Sequence, residues 1–169
     1  MSGIANFETS QAVALSLSKA WQFLSGETGE FDVLIDWTSN PANPTFAEFS
    51  VFMPLTVDAE SRTAGVGVLI QREDATIVAS HMFGLTKDEV NEDDLRDACA
   101  EVCNVISGCI TPQVSASNDI KIGLPSLVCA SEFEQISQGS VLILTYMSGL
   151  KIKRLFVLIY GVFLAPSMA

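Results

Sequence analysis

The sequence predicts an α+β fold, an antiparallel β-sheet packed against a layer of helices, and two observations carry that expectation. Strand-like segments follow one another through short polar turns, as at 48–57 and 64–71, and the helical segments are grouped between strands instead of alternating with them. A parallel array would need a crossover helix after each strand. At 169 residues, with no internal repeat, low-complexity tract or linker, the chain is read as a single domain over 1–169.

Residues 8–24 form the first periodic segment, with Ala12, Leu15 and Ala20 interleaved with Val13, Leu17, Trp21 and Leu24. This is a helix that Ser25-Gly26 closes. Residues 31–37 are short, aromatic and β-branched enough for a strand, and 39–44, with two prolines and two asparagines, form a loop. Segments 48–57 and 64–71 are strands, and the polar stretch 58–63 has the length of a hairpin connection. Pro54 lacks an N–H for the ladder and places the first of the pair near an edge or bulge. A second helix runs from Glu73 through Ile77, Val78 and Met82 to Gly84, followed by an acidic loop and a third helix over 93–110. Three more strands are expected at 120–128, 141–147 and 151–164, with a polar break at 131–139 and a turn at Ser148-Gly149.

Nine basic and 20 acidic residues give a formal charge of −11, which disfavours nucleic acid and anionic membrane as partners. The apolar run 155–165 is well short of the ~20 residues that cross a bilayer, and is read as a buried strand. The start, Met1-Ser2-Gly3-Ile4, lacks a basic region before an apolar core, so a cytoplasmic location is expected. Cys99, Cys103, Cys109 and Cys129 form no CxxC pair and the only histidine is His81, so no metal is expected. The cysteines are read as small apolar residues of a reduced core.

The third helix carries the most informative pattern. At about 100° per residue, Asp97, Glu101 and Asn104 share one narrow arc, while Leu95, Cys99, Val102, Ile106 and Cys109 fall on the opposite, buried side. An Asn inside a helix competes for backbone groups and is a poor helix former. Asp88, Glu89, Glu92, Asp93 and Asp94 add to the negative charge before and along this helix.

The order hairpin, helix, acidic loop, Asp97-x-x-x-Glu101-x-x-Asn104-x-x-x-Gly108, then Gly123-Leu124-Pro125 opening a strand, resembles the CheC/CheX family of chemotaxis phosphatases over about 49–128. The gap from Asn104 to Pro125 is slightly shorter than the family pattern. The resemblance implies hydrolysis of the aspartyl-phosphate of a CheY-like receiver domain. Asn104 would orient the attacking water and Glu101 would pair with the receiver's lysine, with Asp97, Gly108 and Pro125 in supporting places. A carboxamide suits the first task, because it donates and accepts hydrogen bonds and, being neutral, approaches phosphoryl oxygens. No cofactor of its own is implied; magnesium would be held by the receiver. Plainer readings stand beside each assignment: a solvated helix face for Asp97 and Glu101, a surface amide for Asn104, close helix packing for Gly108 and a strand opening for Pro125.

Two-site members of the family carry a second Glu-x-x-Asn on the earlier helix, which 11–19 lacks. The chain is therefore closer to the one-site CheX branch, whose members are homodimers with exchanged sheet elements. The apolar 155–164 fits an interface strand or a buried central strand. A non-catalytic binding or scaffold domain of the same fold is the alternative function.

Overall fold

The computed structural model describes residues 7–33, 48–57, 62–114, 120–138, 142–148 and 156–160. Helix α1 spans Phe7–Ser25, and Gly26 ends it at φ +72°, a left-handed conformation that costs glycine nothing. The Gly26 N–H closes on the Gln22 carbonyl at 2.9 Å, and the Ser25 hydroxyl donates to the Trp21 carbonyl at 2.7 Å. Strand β1 is described over Phe31–Val33; the rest of the expected 31–37 strand and the 39–44 loop lie outside the described residues.

Strands β2 (Phe49–Val57) and β3 (Arg62–Ile70) form the expected hairpin, in antiparallel register from Phe49 opposite Ile70 to Val57 opposite Arg62. Arg62 and Thr63 therefore belong to the ladder and not to the connection, because the strand twins pair to the last residue of β2. Four further strands are described, β4 (Ile120–Ile122), β5 (Ser126–Val128), β6 (Leu142–Ser148) and β7 (Phe156–Tyr160). Among the described residues every pairing of the seven-stranded sheet is antiparallel, and its order is β1-β6-β7-β3-β2-β4, with β5 also on β2.

The expected strand at 120–128 is two strands, β4 (Ile120–Ile122) and β5 (Ser126–Val128), both on the same side of β2. The break between them is Gly123-Leu124-Pro125, and it falls beside Pro54. The Gly123 N–H donates to the Pro54 carbonyl at 2.9 Å, so the side of Pro54 that lacks an N–H faces the interruption. β2 is thus one strand in from the sheet edge, near an edge as expected, and Pro54 faces the gap between its two short neighbours. Gly123 fits closely there: a Cβ would lie 2.8 Å from the Pro54 oxygen.

Alternation along β2 and β3 sends Val51, Met53, Leu55, Val66, Val68 and Ile70 to one face, all buried. Over them lie α1, α2 (Arg72–Phe83) and α3 (Glu92–Val114), joined into one core by Leu17, Trp21, Leu24, Val78, Cys99, Val102 and Ile106 among others. Helix α2 stops at Gly84, φ +65°. The acidic loop after it is ordered by caps. Thr86 and Glu89 form a capping box around a short 3-10 turn, Lys87–Glu89, and the Thr86 N–H lowers the Glu89 pKa. Asn91 and Asp94 then exchange backbone-to-side-chain hydrogen bonds, both 2.9 Å, at the start of α3.

The segment 131–139, expected as a polar break, is largely helix α4 (Ala130–Gln138). Phe133 explains the difference: this aromatic ring is fully buried, and so holds an otherwise polar stretch. Strands β6 (Leu142–Ser148) and β7 (Phe156–Tyr160) complete the sheet, and Gly149 and the remaining parts of the expected last strand lie outside the described residues. β7 lies between β3 and β6, so its apolar sequence is that of a central strand. No described helix is long and apolar enough to cross a membrane.

Arg72 ties three elements together at one end of the layer. Its Nε bonds Glu48 at 2.7 Å, its Nη1 bonds Glu92, and its guanidinium lies 5.4 Å from the Phe49 ring centre. The Arg72 bond holds the Glu92 carboxyl below its ordinary value of 4.5, and the two carboxylates raise Arg72, which stays charged throughout. The Glu92 contribution is therefore present above 4.5 and is lost as pH falls through the lowered value. Arg72→Ala should lower the melting temperature near neutral pH, and the gap from wild type should close on acidification; a constant gap in acid would contradict the linkage. Phe133→Ala should cost about 3–5 kcal/mol in urea unfolding, and a loss under about 1 kcal/mol would show that α4 is not held by that ring.

Candidate functional site

The site is built from the face of α3 that the core does not use. Ala98, Cys99, Val102, Cys103, Ile106 and Ile110 are fully buried, and Leu95 nearly so. On the far side Asp97, Asn104 and Gly108 are exposed and Glu101 is half-buried. Offsets of four, seven and eleven residues bring these four together on one arc, as the spacing implies. Neither Glu101 nor Asn104 is sealed in the core, and among the described residues neither makes a hydrogen bond or ion pair that would commit its side chain.

Pro125 stands apart from this arc, half-buried in the break between β4 and β5. Two anchors nevertheless fix its level relative to Asn104. Arg72 bridges Glu48, just before β2, to Glu92, the first residue of α3. From Glu92 to Cys103 the helix advances about 16 Å at ~1.5 Å per residue, and from Glu48 to Met53 the strand advances about as far at ~3.3 Å per residue. The second anchor agrees: the Cys103 thiol reaches the Val66 carbonyl at 3.8 Å, and Val66 pairs with Met53. The turn of α3 that carries Asn104 therefore stands level with Pro54 and the Gly123-Leu124-Pro125 break. At the tip of that break Leu124 is 82% exposed.

The core reading of the cysteines holds for two of them. Burial pushes the Cys99 and Cys103 thiols up to about 12, which leaves them protonated and inert. Cys109 is half-buried, but Cys129 is exposed, a correction to the core reading. Its thiol is held below its ordinary value, chiefly by the Ser131 hydroxyl 3.1 Å away. The plainer reading of Gly108 as a packing glycine finds no support among the described residues, where a Cβ on it would meet nothing within 4 Å.

Sequence reasoning missed Arg72 as the anchor of α3, because its partners lie 24 and 20 residues away and no local spacing signals them. The caps before α3 were within reach. Thr86-x-x-Glu89 and Asn91-x-x-Asp94 are both helix-start signatures.

Chemically, the arc offers a neutral amide one helical turn from a carboxylate, with Asp97 one turn further back. Such a surface suits a partner that brings a cation and a group needing hydrogen bonds. Among the described residues no three His, Cys, Asp or Glu side chains are placed to hold a metal ion.

Comparison with known proteins gives the arrangement a context. No curated protein sequence matches the chain. Among solved structures, CheX from Desulfovibrio desulfuricans superposes with a TM-score of 0.61 at 15% identity, over 92% of this chain and 100% of that one. A chain of the CheX–CheY–BeF3–Mg2+ complex from Borrelia burgdorferi gives 0.64 at 18%, over 93% and 97%. The fold extends further, to a chain of the FliM–SpeE complex from H. pylori, with 0.59 at 12%, over 94% and 87%. At these identities the likeness is one of fold. The profile described as "Chemotaxis phosphatase CheX" matches residues 57–146, more than half of the sequence, including the whole of α3. The chain belongs to the CheX family of chemotaxis phosphatases.

Proposed function

We propose that the protein hydrolyses the aspartyl-phosphate of a CheY-like receiver domain, using Asn104 to orient the attacking water and Glu101 to pair with the receiver's lysine. The observation that carries this reading is the joint projection of those two uncommitted side chains from a helix whose other face is locked in the core. Membership of the CheX family supports it.

The division of labour follows from the chemistry. An acyl phosphate is already activated, so catalysis consists of holding a water in line and placing charge, with no covalent step for the protein to supply. Asn104 can accept from the water and donate to it without repelling phosphoryl oxygens. Glu101, one turn earlier, meets an ammonium as a charge-assisted contact and fixes the register of docking. The divalent ion belongs to the receiver. Asp97 adds negative field on the same arc, and Pro125 shapes the neighbouring sheet break at the level of Asn104.

The alternative, a binding or scaffold domain without hydrolysis, is kept because the same fold occurs in a FliM middle domain and fold does not fix activity. A pull-down that retains the receiver while dephosphorylation stays at background would select it. The proposed working form is a cytoplasmic homodimer; sedimentation equilibrium giving a monomer at micromolar concentration would remove the dimer.

Asn104→Ala should keep the wild-type melting temperature while slowing phosphoryl release by about tenfold or more, measured as loss of labelled phosphate from a receiver encoded beside this protein. An unchanged rate would take Asn104 out of the chemistry. Unchanged acyl-phosphate lifetime with the wild-type protein would remove the enzymatic reading for that pair.

A further inference from the structure

We infer that Gly108 is a partner-contact position: it bares the backbone of α3 one turn beyond Asn104, and the receiver's loop around its phosphorylated aspartate packs onto that bare patch. This rests on the receiver reading above.

Glycine is among the least favourable residues inside a helix, and Gly108 lies well within the 23 residues of α3. The two usual reasons for keeping one do not apply. Positive φ among the described glycines occurs at Gly26 and Gly84, not at Gly108. Close packing is equally missing. A Cβ on Gly29, Gly65 or Gly123 would lie within 2.8 Å of a neighbour, but among the described residues nothing lies within 4 Å of a Cβ on Gly108. Nothing within the described chain asks for the missing side chain, so the demand comes from outside it.

The next turn adds a second, chemical feature. Pro112 lies inside α3, four residues after Gly108, and has no N–H, so the Gly108 carbonyl receives no i to i−4 helical bond. Beside it the Thr111 hydroxyl donates to the Ser107 carbonyl at 2.5 Å. Gly108 therefore offers both room and a backbone acceptor to a donor on the approaching surface. It stands about 6 Å along the axis from Asn104 and on the same exposed arc.

The arrangement is directional. On one side of Asn104 lie the acids Glu101 and Asp97, which suit a cation; on the other lies the bare, uncharged backbone. An amide that must enter a partner's pocket needs the rim of that pocket to settle against the helix around it. A side chain at 108 would obstruct the settling of that rim, so binding weakens while the chemistry within the docked complex changes little.

The test uses the full chain, Gly108→Ala and Gly108→Gln, and a magnesium-loaded CheY-type receiver phosphorylated by a small acyl phosphate. Melting temperature should stay level or rise in both variants, since both residues are better helix formers. KM should rise about tenfold for Gly108→Gln and less for Gly108→Ala, with kcat falling less than about threefold. Receiver binding, followed by calorimetry, should weaken in the same order. Wild-type KM and affinity in Gly108→Gln would overturn the inference, as would a lowered melting temperature in both variants, which would make Gly108 a requirement of the fold. If wild type binds the receiver without hydrolysing it, and Gly108→Gln weakens that binding, the contact stands and only the catalytic reading falls.

Discussion

The buried side of α3 controls what the exposed side can do. Cys99, Val102, Cys103, Ile106 and Ile110 are inserted between the β2–β3 hairpin and the other helices with no accessible surface. Close-packed interiors tolerate little rotation. A roll of the helix by one residue, about 100°, would carry Ile106 toward water and Asn104 toward the flank. The direction of the amide is therefore set by hydrophobic contacts on the opposite face. Arg72 sets the remaining freedom, sliding along the axis, by joining Glu92 at the start of the helix to Glu48 at the start of the strand beneath it.

This arrangement gives the two faces of one element opposite characters. The inward face collects the apolar residues and the inert thiols, whereas the outward face holds residues that do little for the helix. Asn104 is an indifferent helix former, Gly108 a poor one, and Asp97 and Glu101 add like charge to an already acidic chain. The fold can carry these because the other half of α3 is so well buried and because its first turn is capped by Asn91 and Asp94. Residues that break local rules without a gain inside the fold are expected of functional surfaces.

How much of this could be read from the chain alone follows from the range of the forces involved. The two faces of α3 and the β2–β3 hairpin were legible, since periodicity of 3.6 and 2 residues is a local signal that burial then enforces. The α4 helix was not, because its evidence is one fully buried ring, Phe133, in a polar stretch that local propensity assigns to a loop. The split of β4 from β5 was hidden for a related reason. Its cause is the proline opposite it on β2, nearly 70 residues earlier. Of the candidate residues, the arc from Asp97 to Asn104 followed from spacing, and Gly108 entered through the resemblance. The open space above Gly108 and the level of Pro125 needed the tertiary arrangement, to which sequence offers no short-range clue.

The interrupted ladder beside Pro54 also bears on how the molecule behaves at high concentration. An uncovered run of β2 would display free amides and carbonyls to any extended chain, the usual seed of fibrous aggregation. Instead it is sheathed by two three-residue strands separated by a Gly-Leu-Pro kink. A foreign strand arriving at that border finds no stretch long and straight enough to zip against. The same kink that sets Leu124 and Pro125 level with the amide thus also blunts the border against self-association through strand addition.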